Sequence, residues 1–163
     1  MIDTPLSLYI HFPWCARKCP YCDFNSHELK GEIPETRYVE TLLRDLEFEV
    51  ESESRTTLRS IFMGGGTPSL FSPEAISNLF AGIKDRFEIS KSEITLEANP
   101  GTFDQEHFDG YHEAGVNRLS IGAQSFSADA LVRLGRTHGP GEIELAYDGA
   151  RQAGFNRINL DMM

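Results

Sequence analysis

The chain has 163 residues, of which 40% are hydrophobic, and this is enough apolar material for one domain with a sizeable core. Its formal net charge is −10, from 25 acidic and 15 basic residues. This balance disfavours nucleic acid or an anionic membrane as a partner, because phosphate binding needs clustered Lys and Arg. No apolar run approaches the ~20 residues of a membrane span, and no cationic leader opens the chain. Three cysteines without a secretion signal predict a reducing, cytoplasmic location.

The first predicted strand covers residues 6–12, and it ends just before a loop that holds every cysteine in the chain. Cys15, Cys19 and Cys22 have the spacing C-x3-C-x2-C, and Pro20 tightens the loop between them. A loop this short can direct three thiolates at one point, and iron–sulfur clusters are bound by cysteine thiolates at spacings of this kind. A cubane cluster held by three cysteines leaves one iron without a protein ligand. The spacing therefore indicates a metal centre with one open position.

Two other uses of the thiols stay open from the spacing alone. A structural zinc ion would need a fourth ligand, for which His11 or His27 is available, although zinc sites usually draw on two separated ligand pairs. Free buried thiols are the second alternative. A disulfide framework is disfavoured, because three cysteines leave one unpaired and the spacing is unlike that of stapled extracellular domains.

The middle of the chain predicts helices that alternate with short strands. Residues 23–33 are polar and are expected to be irregular, and Pro34 then begins a helix. Residues 58–63 form a second apolar run that leads into a glycine-rich loop, and Ser72 caps the next helix. Residues 93–97 are interpreted as a third strand. The apolar side chains that recur with helical spacing are Val39, Leu42, Leu43, Leu46 and Val50 in the first helix and Ile76, Leu79, Phe80, Ile83 and Phe87 in the second.

An internal repeat supports a parallel sheet. The run Ala114-Gly115-Val116-Asn117-Arg118-Leu119-Ser120-Ile121 recurs as Ala153-Gly154-Phe155-Asn156-Arg157-Ile158-Asn159-Leu160. In both copies a helix is expected to end at the glycine, in the left-handed conformation, and a strand to follow. Thr102 and Gln105 are interpreted as a capping box that begins the helix before the first copy. Strand-like runs separated by helices predict an α/β fold, in which the last strand, residues 158–163, is expected to be buried on both faces.

Polar side chains lie at the carboxyl ends of the predicted strands, where parallel βα folds bind their ligands. Glu97, Gln124 and Asp161 end three such strands, so we expect one shared site. Each has a structural alternative: a solvated strand terminus, an amide that bonds a turn, or an acid paired with a neighbouring unit. For Arg136 the alternative is a cation near a helix C-terminus. For Gly64-Gly65-Gly66-Thr67-Pro68 it is a tight turn, since this loop lacks the ending of a phosphate-binding loop.

The segment Tyr9-Ile10-His11-Phe12-Pro13-Trp14-Cys15-x3-Cys19-Pro20-Tyr21-Cys22 resembles the signature of the radical S-adenosylmethionine (SAM) superfamily. The match is to the family of oxygen-independent coproporphyrinogen III oxidases and related haem chaperones, and with the downstream motifs it covers nearly the whole chain. The resemblance implies an α/β fold, a partial (β/α)6 TIM-like radical SAM barrel that is truncated after about five strands. Residues 1–163 would be an incomplete radical SAM core domain, with the end of the barrel and a C-terminal domain missing.

The resemblance also implies the ligands. The three cysteines would bind a [4Fe–4S] cluster, and SAM would chelate the open iron through its amine and carboxylate. Arg136 would pair with that carboxylate, and Asp161 would accept hydrogen bonds from the ribose hydroxyls. No residue is assigned a catalytic role, and His11, His27 and His138 are interpreted as structural. The positions that match SAM contacts of the family are Tyr9, Tyr21, Gly65, Gly66, Thr67, Glu97, Gln124, Arg136 and Asp161.

The function implied first is that of a haem chaperone, which retains a cluster and SAM and transfers haem to acceptor proteins. The coproporphyrinogen oxidases carry a fourth cysteine two positions after the third, where this chain has Phe24, and no long N-terminal segment precedes the first strand. Both departures disfavour oxidative decarboxylation of coproporphyrinogen III to protoporphyrinogen IX, the alternative function, and leave open whether the protein is an enzyme. Radical SAM chemistry on another substrate is a weaker alternative. The expected partners are haem or a porphyrin, haem-acceptor proteins, and an electron donor such as flavodoxin or ferredoxin.

Overall fold

The computed structural model describes residues 5–51 and 53–163, and all statements about elements refer to these residues. The strands are β1 (Leu6–Phe12), β2 (Trp14–Cys15), β3 (His27–Glu28), β4 (Leu58–Gly65), β5 (Glu93–Ala98), β6 (Arg118–Gln124) and β7 (Ile158–Met162). The α-helices are α1 (Glu35–Glu49), α2 (Pro73–Lys84), α3 (Gln105–Ala114), α4 (Ala128–Arg133) and α5 (Pro140–Gln152). Short 3₁₀ helices cover Pro68–Leu70 and Pro100–Thr102.

The main sheet has five strands in the order β1-β4-β5-β6-β7, and every neighbouring pair is parallel. Helices connect each of these strands to the next along the chain. This arrangement confirms the predicted α/β fold of repeated βα units. The two copies of the internal repeat lie side by side, since Ser120 of β6 is opposite Asn159 of β7.

The two faces of the main sheet differ in polarity, because successive side chains of a strand point to opposite sides. One face is packed against the helices and forms the core, with Phe12, Ile61, Met63, Leu96 and Leu119 fully buried. The side chains on the opposite face are mostly polar and bond to one another across strands. For example, Ser60 Oγ donates to Ser7 Oγ (2.9 Å). The polar face includes Ser7, Tyr9, His11, Ser60, Thr95, Glu97, Ser120, Gln124, Asn159 and Asp161.

The prediction that the last strand is buried on both faces is therefore wrong. Ile158 and Leu160 of β7 pack against the apolar core, whereas Asn159 and Asp161 lie on the polar face. The physical reason is that this face borders a cavity instead of a second layer of helices.

The predicted helices α1 and α2 are confirmed. Helix α1 begins directly after Pro34, and Val39 and Leu46 on its predicted apolar face are buried. Helix α2 begins at Pro73 after Ser72, whose Oγ accepts a hydrogen bond from the Ala75 amide (3.2 Å). Four of the predicted apolar residues lie in α2 and are at most 1% exposed: Ile76, Leu79, Phe80 and Ile83. The fifth, Phe87, is also buried, but it lies after the end of the helix at Lys84.

Helix α3 begins differently from the prediction. Thr102 does not cap it, because this residue ends the 3₁₀ helix Pro100–Thr102. Asp104 is the N-cap residue, and its Oδ1 accepts a hydrogen bond from the His107 amide (3.0 Å). The C-terminal end is as predicted, since Gly115 has a φ of 116° and β6 follows. Gly154, its counterpart in the repeat, has a φ of 100°.

The segment of residues 23–33, expected to be irregular, contains the short strand β3, which pairs with β2 in a parallel two-stranded sheet. In the described parts of the chain, no helix combines the length and apolar character that crossing a membrane requires.

Candidate functional site

A cavity of about 600 Å³ lies at the carboxyl ends of the five parallel strands. It is bordered on one side by the cysteine loop and on the other by the ends of β4 to β7. The sequence-predicted site residues that line it are Cys15, Cys19, Tyr21, Cys22, Gly65, Gly66, Thr67, Glu97, Gln124, Arg136 and Asp161.

Tyr9 is the predicted site residue that does not line the cavity. Its side chain is 57% exposed, and its ring stacks on Phe62 at a centroid distance of 6.3 Å. Phe62 itself does line the cavity. Tyr9 is therefore separated from the other predicted residues by one aromatic ring.

The cysteine loop is closed at its base by β2 and β3. The His27 amide donates to the Pro13 carbonyl (2.7 Å), and the Leu29 amide donates to the Cys15 carbonyl (2.8 Å). The Cys22 amide donates to the Cys19 carbonyl (3.1 Å), which forms a tight turn between the second and third cysteines. A folded loop of this kind keeps the three cysteines on the same side of the sheet.

The three cysteines of the loop are chemically suitable ligands for an iron–sulfur cluster. All three thiols are free, partly buried and exposed to the same cavity, so they offer three sulfur ligands of the kind that bind such clusters. Within residues 5–51 and 53–163, however, no three His, Cys, Asp or Glu side chains are gathered closely enough to form a metal site.

The zinc alternative with His11 as fourth ligand does not fit. Nε2 of His11 donates to the Asn25 carbonyl (2.7 Å), and Nδ1 accepts from the Tyr9 hydroxyl (3.2 Å). This tautomer follows from the hydrogen bonds, because a carbonyl can only accept. Both ring nitrogens are thus occupied by protein partners.

The glycine-rich loop packs against the segment that leads into the cysteines. Gly65 has a φ of 107°, and a Cβ atom there would lie 2.5 Å from the His11 ring. A Cβ atom on Gly66 would lie 2.5 Å from the Trp14 carbonyl oxygen. The Gly66 amide donates to the Phe12 carbonyl (2.6 Å). Glycine is required at both positions because the two loops approach each other this closely.

Arg136 connects the end of β6 to the cysteine loop. Its Nη2 donates to the Gly122 carbonyl (3.0 Å), and its Nη1 lies 3.3 Å from Cys19 Sγ and 3.4 Å from the Tyr21 hydroxyl. The Nε atom of Arg136 is buried and has no hydrogen-bond partner. The guanidinium group therefore lines the cavity and has one N–H without a protein partner.

Two carboxylates lie at the cavity, on β5 and β7. Burial raises the pKa of Glu97, the nearby Asp161 carboxylate raises it further, and a hydrogen bond from the Gly65 amide (3.3 Å) acts in the opposite direction. Asp161 is held by its neighbours, since Oδ2 accepts from Ser120 Oγ (2.9 Å) and Oδ1 from Asn159 Nδ2 (2.6 Å). Asp161 thus has a fixed orientation.

Ser120 and Asn159 belong to the site, although the motif analysis did not single them out. Both line the cavity, and Asn159 Nδ2 also donates to Ser120 Oγ (3.1 Å). A signal was present in the sequence, because the internal repeat aligns these two positions with each other. Strand alternation places both on the same face as Asp161.

Comparison with known proteins identifies the class to which this fold and site belong. The family model of the Radical SAM superfamily matches residues 9–163. The chain therefore belongs to this superfamily. Over 98% of its length, it is 53% identical to the heme chaperone HemW of Escherichia coli K12. The identity is 52% to HemW of Haemophilus influenzae and 37% to HemW of Bacillus subtilis. The chain spans 42–43% of the length of these three relatives.

Solved structures show the same fold. Coproporphyrinogen III oxidase (HemN) from Escherichia coli, described as a radical SAM enzyme, superposes with a TM-score of 0.86 at 27% identity, over 97% of this chain and 37% of that chain. The cobalamin-dependent radical SAM enzyme OxsB superposes with a TM-score of 0.66 at 15% identity, over 96% of this chain and 23% of that chain. These matches confirm the predicted partial radical SAM barrel.

Proposed function

We propose that Cys15, Cys19 and Cys22 bind a [4Fe–4S] cluster and that SAM binds beside it in the cavity. Membership of the radical SAM superfamily implies both groups, and three free thiols at one cavity support this ligand set. When bound, the cluster would supply the electron for reductive cleavage of SAM. The chain's own residues would bind and orient SAM and keep water from the sulfur ligands.

The SAM-binding roles are assigned by position in the cavity. Arg136 would hold the SAM carboxylate, and its unused buried N–H supports this role. Asp161, oriented by Ser120 and Asn159, would accept hydrogen bonds from the ribose hydroxyls. The amino end of SAM would lie against Gly65, Gly66 and Thr67, and further contacts would come from Tyr21, Glu97 and Gln124. Tyr9 does not line the cavity, and its contact with SAM stays a prediction from the sequence.

We propose that the protein is a haem chaperone. The observation that carries this proposal is the 53% identity with the HemW of Escherichia coli over 98% of the chain. Phe24 supports the same proposal, because it occupies the position where the coproporphyrinogen oxidases carry a fourth cysteine. Its side chain lines the cavity and is 60% exposed. Haem would be passed to acceptor proteins in the cytoplasm, and a flavodoxin or ferredoxin would reduce the cluster.

Coproporphyrinogen III oxidation is the second candidate function. The observation that favours it is the structural match to the oxidase of Escherichia coli, with a TM-score of 0.86. Because that match has 27% identity, compared with 53% for the heme chaperone, we rank it second.

The domain assignment is also a proposal. Residues 1–163 would form the first part of a radical SAM core domain, followed by the end of the barrel and a C-terminal domain. The share of the relatives that the chain covers, 42% for HemW of Escherichia coli, supports this division.

Two assays on the purified protein separate the candidate functions. Haem is titrated into the protein, and coproporphyrinogen III is incubated anaerobically with the reconstituted protein, SAM and a reductant. We expect stoichiometric haem binding and no conversion of the porphyrinogen. Formation of protoporphyrinogen IX by the wild-type protein, but not by the Cys22→Ser variant that lacks one sulfur ligand, would overturn the chaperone assignment.

A further inference from the structure

Three consecutive backbone carbonyls, which begin two residues after the third cysteine, each accept a hydrogen bond from a side chain. Lys18 Nζ donates to the Phe24 carbonyl (3.1 Å) and to the Ser26 carbonyl (2.9 Å). His11 Nε2 donates to the Asn25 carbonyl between them (2.7 Å). Side chains seldom capture three adjacent carbonyls in this way, since most backbone groups are paired within helices and sheets.

These hydrogen bonds connect parts of the loop that are distant in sequence. Lys18 lies between the first and second cysteines, so its bonds join the first half of the loop to the segment that leaves the third cysteine. His11 belongs to β1, and its bond fixes the same segment to the main sheet. Ser26 is 1% exposed, and its Oγ lies 3.9 Å from Cys22 Sγ. The carbonyls held by Lys18 and His11 therefore set the position of the residues around Cys22.

The ammonium group of Lys18 has the carbonyls of Phe24 and Ser26 as its hydrogen-bond partners. Among the described residues, the ion pairs involve other cations, and no carboxylate lies within ion-pair distance of Lys18. Hydrogen bonds from an ammonium group are stronger than those between neutral groups. An apolar side chain at this position would leave two carbonyls without this donor, one of them on the buried residue Ser26.

We propose that Lys18 and His11 are positioning residues that keep the cysteine loop ordered before a cluster is present. The base of the loop is already closed by β2 and β3, and the two side chains fix its far end. The loop would then receive the cluster with little loss of conformational entropy. This inference depends on the proposed function only in that an iron–sulfur cluster is what the ordered loop receives.

Hydrogen exchange of the purified protein, before reconstitution, tests the inference without any cluster. In Lys18→Met we expect the amides of Ser26, His27 and Leu29 to exchange about tenfold faster, the effect of one lost charge-assisted hydrogen bond. Lys18→Arg keeps a cationic donor and should retain most of the protection. The control is Lys30→Met, which removes the same charge from a lysine that, within the described chain, makes neither a side-chain hydrogen bond nor an ion pair, and it should leave the exchange unchanged. Unchanged exchange in Lys18→Met, or equal exchange in Lys18→Met and Lys18→Arg, would overturn the proposal.

A second measurement uses the protein after reconstitution with the cluster and follows how fast the cluster is lost. The rate at which a chelator removes the cluster absorbance should rise several-fold in Lys18→Met and in His11→Phe, while the unfolding temperature stays close to that of the wild type. Equal rates in both variants and the wild type would contradict the positioning role. If the wild-type protein took up no cluster, the proposed function would fail, and the exchange experiment would still decide whether the two side chains order the loop.

Discussion

At the scale of single residues, Glu97 carries a charge where the fold does not favour one. Burial raises its pKa above the ordinary value of 4.5, and the Asp161 carboxylate raises it further. A group whose pKa is raised on folding favours the folded state below its unfolded pKa, and this contribution is lost as the pH rises through the folded pKa. Ionisation of Glu97 should therefore lower the stability of the protein without ligands.

The first prediction is that Glu97→Gln stabilises the protein without ligands at pH 7. The amide removes the charge and still offers an oxygen to the Gly65 amide. We expect a gain in the free energy of unfolding of about 1 kcal/mol or less, because partial exposure screens the charge. The gain should shrink as the pH falls through the raised pKa of the folded protein, and it should be gone below 4.5, the ordinary pKa of a glutamate. Denaturant unfolding at several pH values measures this difference.

The matched control for this prediction is Glu47→Gln, which removes the same charge from an exposed position on α1. It should change the stability little at any pH. If Glu97→Gln were less stable than the wild type at pH 7, the carboxylate would be a stabilising group, and the account of its pKa would be wrong.

The cysteine spacing, the strand-end positions and the family resemblance allowed about half of the residues around the cavity to be predicted from the sequence. Parallel strands bring their carboxyl ends together, so Glu97, Gln124 and Asp161 had to meet. The position of Tyr9 could not be predicted in the same way. The rotation of its ring onto Phe62 depends on packing between neighbouring strands, which no single segment encodes.

At the scale of elements, helix starts were predictable where one strong cap was present, and ambiguous where two competed. Ser72 was correctly predicted as the cap of α2, because Pro73 follows it. For α3, Thr102 and Asp104 are both good caps. The 3₁₀ helix Pro100–Thr102 decides between them, because it uses Thr102 and leaves Asp104 as the last extended residue before α3.

The second prediction tests this start of α3. Asp104→Ala should reduce the free energy of unfolding by about 1 kcal/mol. It should also speed hydrogen exchange of the His107 amide, because this amide donates a hydrogen bond to the Asp104 carboxylate. Asp104→Asn is the control, because asparagine caps helices about as well as aspartate. A helix that lost its first-turn protection in Thr102→Ala and kept it in Asp104→Ala would restore the capping box that the sequence first indicated.

The small sheet of β2 and β3 was not predictable, because two-residue strands carry no periodicity. It forms because the cysteine loop folds back on its own entry, where Pro13 and Cys15 present carbonyls to the amides of His27 and Leu29. Contacts of this kind depend on the tertiary course of the loop. They are also what makes the loop a structured element.

At the scale of the whole molecule, one sheet separates the core from the site. Its helix-facing side is apolar and gives the domain its stability, and its opposite side is polar and borders the cavity. The internal repeat correctly indicated parallel βα units, but the apolar runs alone suggested strands buried on both faces. The polar residues between the apolar ones, such as Asn159 and Asp161, were the evidence for the second, open face.

The central claim is that three cysteines hold an iron–sulfur cluster with one iron free for SAM. It is tested most directly by reconstituting the purified protein anaerobically with iron and sulfide and recording the EPR spectrum of the reduced protein with and without SAM. We predict a brown protein with about four irons per chain, a spectrum that SAM changes, and loss of the cluster in Cys19→Ser but not in Phe24→Ser. A colourless protein that carries zinc, or a reduced cluster whose spectrum SAM leaves unchanged, would contradict the account.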